Sequence, residues 1–201
     1  MNKLRIHSRN TVPGRNTRPL IVSVISGKGG VGKTVIACNL AEQLADSGCR
    51  VLLVDADQYC GNAHILINTA TTFGFRDVLQ GKCVLRQAVV SISENLDLLG
   101  SEGNPITGAT NESDTAGALL QRLSADAGEY AVVVLDHPSG RSGLSTALAA
   151  ASDLSLLVVV PELTSLADGY GLFKHLIRAR AKKQCELVVN RTESEDDVEF
   201  V

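Results

Sequence analysis

The sequence predicts an α/β fold in which a mainly parallel sheet carries helices on both faces. Short aliphatic runs alternate with longer segments of helical periodicity along most of the 201 residues, which is typical of βαβ units. Hydrophobic residues make up 44% of the chain but aromatic residues only 3%, so the core must be aliphatic, as in a buried parallel sheet. Because ligands bind such sheets at the carboxyl ends of their strands, the residues that follow the aliphatic runs are the first candidates for a site.

Each element follows from a local pattern. The predicted strands are runs of Val, Leu and Ile that end at polar residues or proline: 20–25, 50–54, 96–99, 130–135, 154–160 and 185–189. The predicted helices have wider apolar spacing and cover 33–46, 116–127, 144–151 and 164–182, with short helical pieces near 63–67, 77–80 and 84–90. The Gly-, Thr- and Asn-rich residues 100–115 are predicted to form a loop. In this order the elements make one three-layer α/β/α domain over residues 20–201.

The segment between the first strand and the first helix is the most informative. It fits the phosphate-loop pattern G-x-x-x-x-G-K-[ST], in which glycines let backbone N–H groups turn toward phosphate oxygens and the following helix adds its positive dipole end. Lys33 would reach the β- and γ-phosphates, and the Thr34 hydroxyl would bind Mg²⁺. A glycine-rich turn without a ligand is the alternative. The expected nucleotide-binding residues are Gly27, Lys28, Gly29, Gly30, Val31, Gly32, Lys33 and Thr34.

A second lysine makes this loop more specific, because Lys28 is not needed in an ordinary phosphate loop. With it, the chain resembles the deviant Walker A ATPases of the MinD/ParA class over about residues 20–191. The resemblance implies a P-loop NTPase-like fold and an ATP-dependent homodimer that sandwiches two ATP molecules. It also implies that Lys28 and Lys33 are catalytic, with Lys28 reaching the nucleotide of the partner subunit. The alternative for Lys28 is a solvated loop lysine.

Acidic residues follow two of the aliphatic strands. Asp55 and Asp57 come after the second strand and Asp136 after the fourth. An aspartate in the latter position holds Mg²⁺-bound water in phosphoryl-transfer proteins, although many α/β strands end in Asp. The resemblance implies that Asp55 and Asp136 organise Mg²⁺ together with Thr34, and that Asp57 orients the attacking water. The alternative is that Asp55 and Asp57 solvate a strand end or cap a short helix.

Other strand ends complete the expected site. By resemblance, Asn190 hydrogen-bonds the adenine edge and Pro161 lines the base pocket; an amide can donate and accept at once, which suits that edge. Asn190 can also be an ordinary turn residue. His137 departs from the family, which has a small Thr or Ser directly after the aspartate. This histidine could alter the segment, add pH sensitivity or point away from the nucleotide.

The two ends of the chain differ from its middle. Residues 1–19 contain basic residues, proline and glycine but no acid, so we expect a disordered basic arm able to bind nucleic acid, acidic lipid or an acidic protein face, or merely a solvated leader. Family members continue with further elements beyond the adenine-contacting strand, so the domain is expected to be truncated at its C-terminus. Residues 55–66, 77–83 and 168–174 resemble the flagellar number regulators of the FlhG/FleN branch.

Composition narrows the class of protein. The sequence has no apolar stretch long enough for a membrane span and no secretory h-region. Its cysteines form no C-x-x-C pair or metal spacing, which fits a reducing cytosol and disfavours a metal-cluster carrier. We expect a cytoplasmic protein, with peripheral contact to the inner membrane face or to DNA left open.

The sequence therefore predicts an ATP- and Mg²⁺-dependent dimeric switch that hydrolyses ATP slowly without a partner protein. By resemblance, such a switch controls the placement or number of a cellular structure, such as a flagellum, a division site or a cargo. The alternative is a regulatory scaffold that holds nucleotide with little or no hydrolysis, which His137 and the short C-terminus favour.

Overall fold

The computed structural model describes residues 18–57, 61–101, 112–178 and 184–199. Within them the strands are Leu20–Ile25 (β1), Val51–Asp55 (β2), Val90–Ser91 (β3), Leu96–Leu99 (β4), Val132–Asp136 (β5), Leu154–Val159 (β6) and Gln184–Val189 (β7). The longer helices are Lys33–Asp46 (α1), Glu112–Asp126 (α5), Gly143–Ala151 (α6) and Leu163–Arg178 (α7). The short ones are Ala63–Leu66 (α2), Phe75–Leu79 (α3), Leu85–Ala88 (α4) and Asp196–Glu199 (α8).

The strands form one sheet, which among the described residues has the order β3-β4-β2-β5-β1-β6-β7. Only β3 runs antiparallel, at one edge beside β4. The crossover from β1 to β2 and the later return to β5 put three central strands side by side. The carboxyl ends of these three strands bring the loop after β1, Asp55 and Asp136 to the same end of the sheet, as predicted.

Alternating side chains of the strands divide the core into layers. Val24, Leu53 and Val134 pack toward α1, whereas their neighbours in the strands face α3 to α6 on the opposite side. A third cluster joins Ile25 and β6 to α7. Every residue of β2 and β5 is buried, as expected for strands covered by helices on both faces. The predicted α/β class and three-layer architecture are thereby confirmed.

The element predictions need some corrections. Helix α5 begins at Glu112, inside the predicted loop 100–115, because a polar sequence can still form the first turn of a helix. The predicted helical piece 84–90 is a helix only to Ala88, after which Val90 and Ser91 pair with β4. Residues 102–111 and 179–183, which belong to predicted elements, lie outside the described residues.

The predicted N-terminal arm also lies outside the described residues, apart from Arg18 and Pro19. Arg18 makes two hydrogen bonds to the carboxylate of Asp153, at 2.8 and 2.6 Å. Asp153 also accepts from the backbone N–H of Ile21, so this ion pair ties the entry of β1 to the start of β6. Among the described residues, no helix is long and apolar enough to cross a membrane.

Candidate functional site

The loop after β1 has the backbone that a phosphate cradle requires. Gly32, directly before α1, has a φ of 95° in the left-handed region, which costs glycine little and other residues much more. At Gly27 the constraint is space, since a Cβ atom would overlap the backbone carbonyl group of Asp168 in α7. The loop is therefore held between the start of α1 and the backbone of α7.

Lys33 is the buried cation of this loop. Its side chain is on α1, the residue is only 7% exposed, and its Nζ donates a hydrogen bond to Ser139 Oγ at 3.0 Å. A buried ammonium is costly unless an anion or several acceptors surround it, so this position suits phosphate oxygens. Ser139 was not among the expected site residues; its place in the segment 137–140, which directly follows Asp136 and resembles a switch segment of the family, was the signal.

Two carboxylates lie beside Lys33 on neighbouring strands. Asp55 and Asp136 are register partners across β2 and β5, and both are buried. Burial raises the pKa of both carboxyls, that of Asp136 to about 7, and each is raised further by a neighbouring acid. Paired buried acids of this kind are stabilised as anions by a bound cation.

The oxygens of the two aspartates are used differently. Asp136 accepts a hydrogen bond from the Thr34 side chain, whereas its Oδ1 is buried without a hydrogen-bond partner among the described residues. Both Asp55 oxygens accept backbone N–H groups, from Asp57 and Ala63, each at 3.1 Å. Asp136 Oδ1 thus has lone pairs that a metal or its water could use, whereas Asp55 holds the backbone of Asp57 and of Ala63.

This arrangement fits Mg²⁺ with a bound nucleotide. Mg²⁺ in such sites keeps several waters and takes one or two protein oxygens besides phosphate oxygens. Thr34 and Asp136 supply oxygens of this kind. The described residues contain no compact group of three or more His, Cys, Asp or Glu side chains that could hold a metal ion.

A cleft of about 550 Å³ opens beside the loop. It is lined by Gly30, Gly32, Lys33, Thr34, Val35, Asp57, Asn62, Ile65, Leu66, Ser139 and Arg191. Of the residues predicted for the site, five line this cleft directly, Asp57 among them. Arg191, which the sequence analysis missed, has a φ of 59° in the left-handed region. Its position next to Asn190 was the signal.

Asn190 contacts the phosphate loop itself. Its Nδ2 donates to the Val31 carbonyl oxygen at 2.8 Å, and its backbone N–H donates to Val159 O. The amide therefore fixes β7 to the loop, in addition to the base contact expected of it. Pro161 is half-buried at the same carboxyl end of the strands, between β6 and α7.

Lys28 points toward α7 within its own chain. Its Nζ donates to Glu162 Oε2 and to Thr164 Oγ1, both at 2.8 Å. The ammonium lowers the pKa of the exposed Glu162 carboxyl. This pair is on the surface, so it is weak and can exchange for another partner.

His137 points to the other face of the sheet from Asp136. It is buried, with Nε2 at 2.7 Å from Ser23 Oγ and Nδ1 at 3.0 Å from Ser145 Oγ. Of the three possibilities left open for this residue, the geometry fits a side chain that points away from the nucleotide cleft.

Comparisons with known proteins agree with this geometry. A family model described as an AAA domain matches residues 20–188. Antiactivator FleN of Pseudomonas aeruginosa is 32% identical over 182 residues, covering 87% of this chain and 62% of FleN. Septum site-determining protein MinD of Helicobacter pylori is 33% identical over 193 residues, covering 85% of this chain and 69% of that protein.

The solved MinD cell division protein of Aquifex aeolicus has a TM-score of 0.71 and 27% identity, covering 90% of this chain and 78% of that one. The chain spans less than two thirds of FleN and slightly more than two thirds of the Helicobacter protein.

Proposed function

This chain belongs to the AAA domain family, as one of its MinD- and FleN-like P-loop members, and from that premise we propose that it is an ATP-driven molecular switch. The observation that carries the proposal is the group formed by Lys33, Ser139, Thr34 and Asp136 beside the loop 27–34. It combines a buried cation and a buried carboxylate oxygen that has no partner among the described residues, beside a glycine-rich loop. Those are the groups that bind and position a triphosphate.

The loop and Lys33 would bind the β- and γ-phosphates, and Thr34 with Asp136 would hold Mg²⁺ beside them. Asp55 would hold the backbone of Asp57 and of Ala63 in place through its two hydrogen bonds. When bound, Mg²⁺ supplies charge that stabilises the transferring phosphoryl group. Asn190 and Pro161 would contact the adenine base.

Hydrolysis would use Asp57 to orient the attacking water, since Asp57 lines the cleft near Thr34. Phosphoryl transfer needs positioning and charge more than covalent catalysis. A carboxylate in a cleft that is open to solvent supports slow turnover that a partner protein would accelerate.

ATP would also promote a homodimer in which Lys28 reaches the nucleotide of the partner subunit. Lys28 would first have to leave Glu162 and Thr164, which is feasible because surface ion pairs contribute only about 0–1 kcal/mol. We propose that the dimer contacts a protein partner and controls the placement or number of a cellular structure. A cytoplasmic location, with peripheral membrane or DNA contact, belongs to the same proposal.

Size-exclusion chromatography with light scattering tests the proposal, with no nucleotide, ADP or ATP, each with Mg²⁺, alongside a phosphate-release assay. A dimer formed only with ATP, together with slow phosphate release, is expected. Lys33→Ala should abolish ATP binding, and Lys28→Ala should retain ATP binding but remain monomeric. A Lys28→Ala variant that dimerises like the wild type would refute the role given to Lys28.

The Lys28–Glu162 pair favours one alternative, a scaffold that holds nucleotide with little or no hydrolysis. If the pair persists with ATP bound, Lys28 is not available to a partner subunit. Tight nucleotide binding without dimerisation or phosphate release, even in the Glu162→Gln variant, would favour this alternative.

A further inference from the structure

A chain of buried hydrogen bonds runs beneath the nucleotide cleft, on the opposite side of β5 from Asp136. It joins Ser152 to Ser23 at 2.6 Å, Ser23 to His137 Nε2 at 2.7 Å and His137 Nδ1 to Ser145 at 3.0 Å. All four residues are buried. The chain connects β1, β5 and α6, the elements that surround the segment after Asp136, and the proposed chemistry makes no use of it.

The direction of these hydrogen bonds follows from one carbonyl group. The Ser152 hydroxyl donates to Leu148 O at 2.8 Å, so it must accept from Ser23, and Ser23 must in turn accept from His137 Nε2–H. In neutral histidine Nδ1 is then an acceptor, and the Ser145 hydroxyl shares its single proton between Nδ1, at 3.0 Å, and Pro138 O, at 3.4 Å. Burial lowers the pKa of His137 to about 3, which agrees with a neutral ring. The direction of each hydrogen bond between these four residues is thus fixed.

The segment that begins at His137 is fixed at both ends. The backbone N–H of His137 donates to Val24 O, and that of Gly140 donates to Ser26 O. Between these points Ser139 reaches Lys33. The His137 ring anchors the first end to α6, because its partner Ser145 belongs to that helix and has its Oγ 3.4 Å from Pro138 O.

We propose that His137 is a positioning residue that acts through Ser139, holding the segment 137–140 so that the Ser139 hydroxyl meets Lys33 at the phosphate site. The inference rests on the proposed ATP-binding function and adds a residue that never touches the nucleotide. Without the ring, Ser23 and Ser145 would lose a buried partner and Pro138 and Ser139 would lose their support. Small misplacements of this kind lower turnover more than ground-state binding.

The test is ATP turnover and ADP affinity of His137→Ala at saturating Mg²⁺. Turnover should fall about tenfold or more, while ADP affinity changes less than about twofold. His137→Gln, whose amide can still donate toward Ser23, should recover part of the lost turnover and remains informative if the alanine variant fails to fold. Ser139→Ala should be about as slow as His137→Ala, and the double variant no slower, because residues acting through one contact are not additive.

Tyr130→Phe is the matched control for a merely structural effect. Tyr130 is buried at the other end of β5 and donates to Asp97, far from the cleft in the sheet. Compared at equal distances below their melting temperatures, this variant should keep wild-type turnover. Two results would overturn this inference but not the proposed function. One is a His137→Ala turnover equal to that of Tyr130→Phe, and the other is additive losses of turnover in the double variant of His137→Ala and Ser139→Ala. A wild-type chain that neither binds nor hydrolyses ATP would overturn the proposed function and this inference with it.

Discussion

Single residues at the site carry charges that the fold buries before any ligand is bound. Lys33 is nearly inaccessible and donates to one hydroxyl, and Asp136 keeps a buried oxygen without a partner among the described residues. Such groups reduce stability in the free protein and gain their full set of contacts only with ligand. The cost of burial is therefore an argument for a phosphate and a cation in this cleft.

The charge on Lys33 should be separable from its packing. Lys33→Met keeps most of the buried stem but removes the ammonium, so the free energy of unfolding should stay unchanged or rise while ATP binding is lost, as in Lys33→Ala. Urea denaturation and titration with a fluorescent ATP analogue measure the two effects. A clear loss of stability with intact ATP affinity would show that Lys33 is a structural residue.

The sequence was informative for residues whose chemistry is tied to a fixed spacing. The roles expected of Lys33 and Thr34 depend on the eight-residue loop pattern, and the structure brings both to the cleft. Ser139 and Arg191 could not be found in this way, because their contacts depend on how segments far apart in the chain meet. The orientation of His137 was equally undetermined, since strand alternation decides it only once the neighbours of β5 are known.

Among the elements, α7 contacts the phosphate loop at two places. Its backbone at Asp168 lies against Gly27, and Thr164 near its start receives Lys28. A shift of α7 would therefore move both the first glycine and the second lysine of the loop. Helix α7 is positioned to pass changes at the loop to the surface and in the reverse direction.

Gly27→Ala should reveal the close approach of α7. The added methyl group would overlap the Asp168 carbonyl, so we expect a loss of about 1–3 kcal/mol in the free energy of unfolding, measured by denaturant titration. Gly117→Ala is the matched control, because Gly117 lies in α5 with open space around its Cβ position. That variant should gain up to about 1 kcal/mol from helix propensity. Equal stability of the two variants would contradict the close approach.

The pair between Lys28 and Glu162 should oppose dimerisation. Glu162→Gln removes the charge that holds Lys28 in its own chain, so the ATP-dependent dimer should tighten by up to about fivefold, the range of a surface ion pair. Sedimentation at several protein concentrations measures the dissociation constant. Glu94→Gln, an exposed acid before β4, controls for net charge. A weaker dimer in Glu162→Gln would mean that Glu162 supports the interface instead.

Most elements were predictable because they are long or strongly patterned. Helix α1 and strands β1 and β4 have the predicted bounds, since aliphatic runs and glycine stops define them locally. The start of α5 was wrong because its first turn is polar, and β3 was missed because two residues form a strand only through pairing with β4. Tertiary contacts, which one sequence does not show, decide both cases.

In the whole molecule, the central strands β2, β5 and β1 place the phosphate loop and both buried aspartates at the carboxyl end of the sheet. The hydrophobic core lies between the sheet and the helices on its two faces. Nucleotide binding at this end of the sheet should stabilise an already folded domain. The gain in the free energy of unfolding should then report directly on the free energy of binding. Dimerisation, if ATP drives it, adds a term that depends on protein concentration.

Thermal unfolding can separate these two terms. At about 100 times the dissociation constant, a ligand adds about 2.7 kcal/mol, which raises the melting temperature of a domain this size by roughly 5–10 °C. With ADP and Mg²⁺ the shift should be independent of protein concentration, whereas with ATP it should increase with protein concentration. Lys28→Ala should keep the ADP-like shift and lose the concentration dependence, because it binds nucleotide but lacks the group that crosses the interface. If the shift in Lys28→Ala still depended on protein concentration, the variant would still dimerise with ATP, and Lys28 would not be the cause of dimerisation.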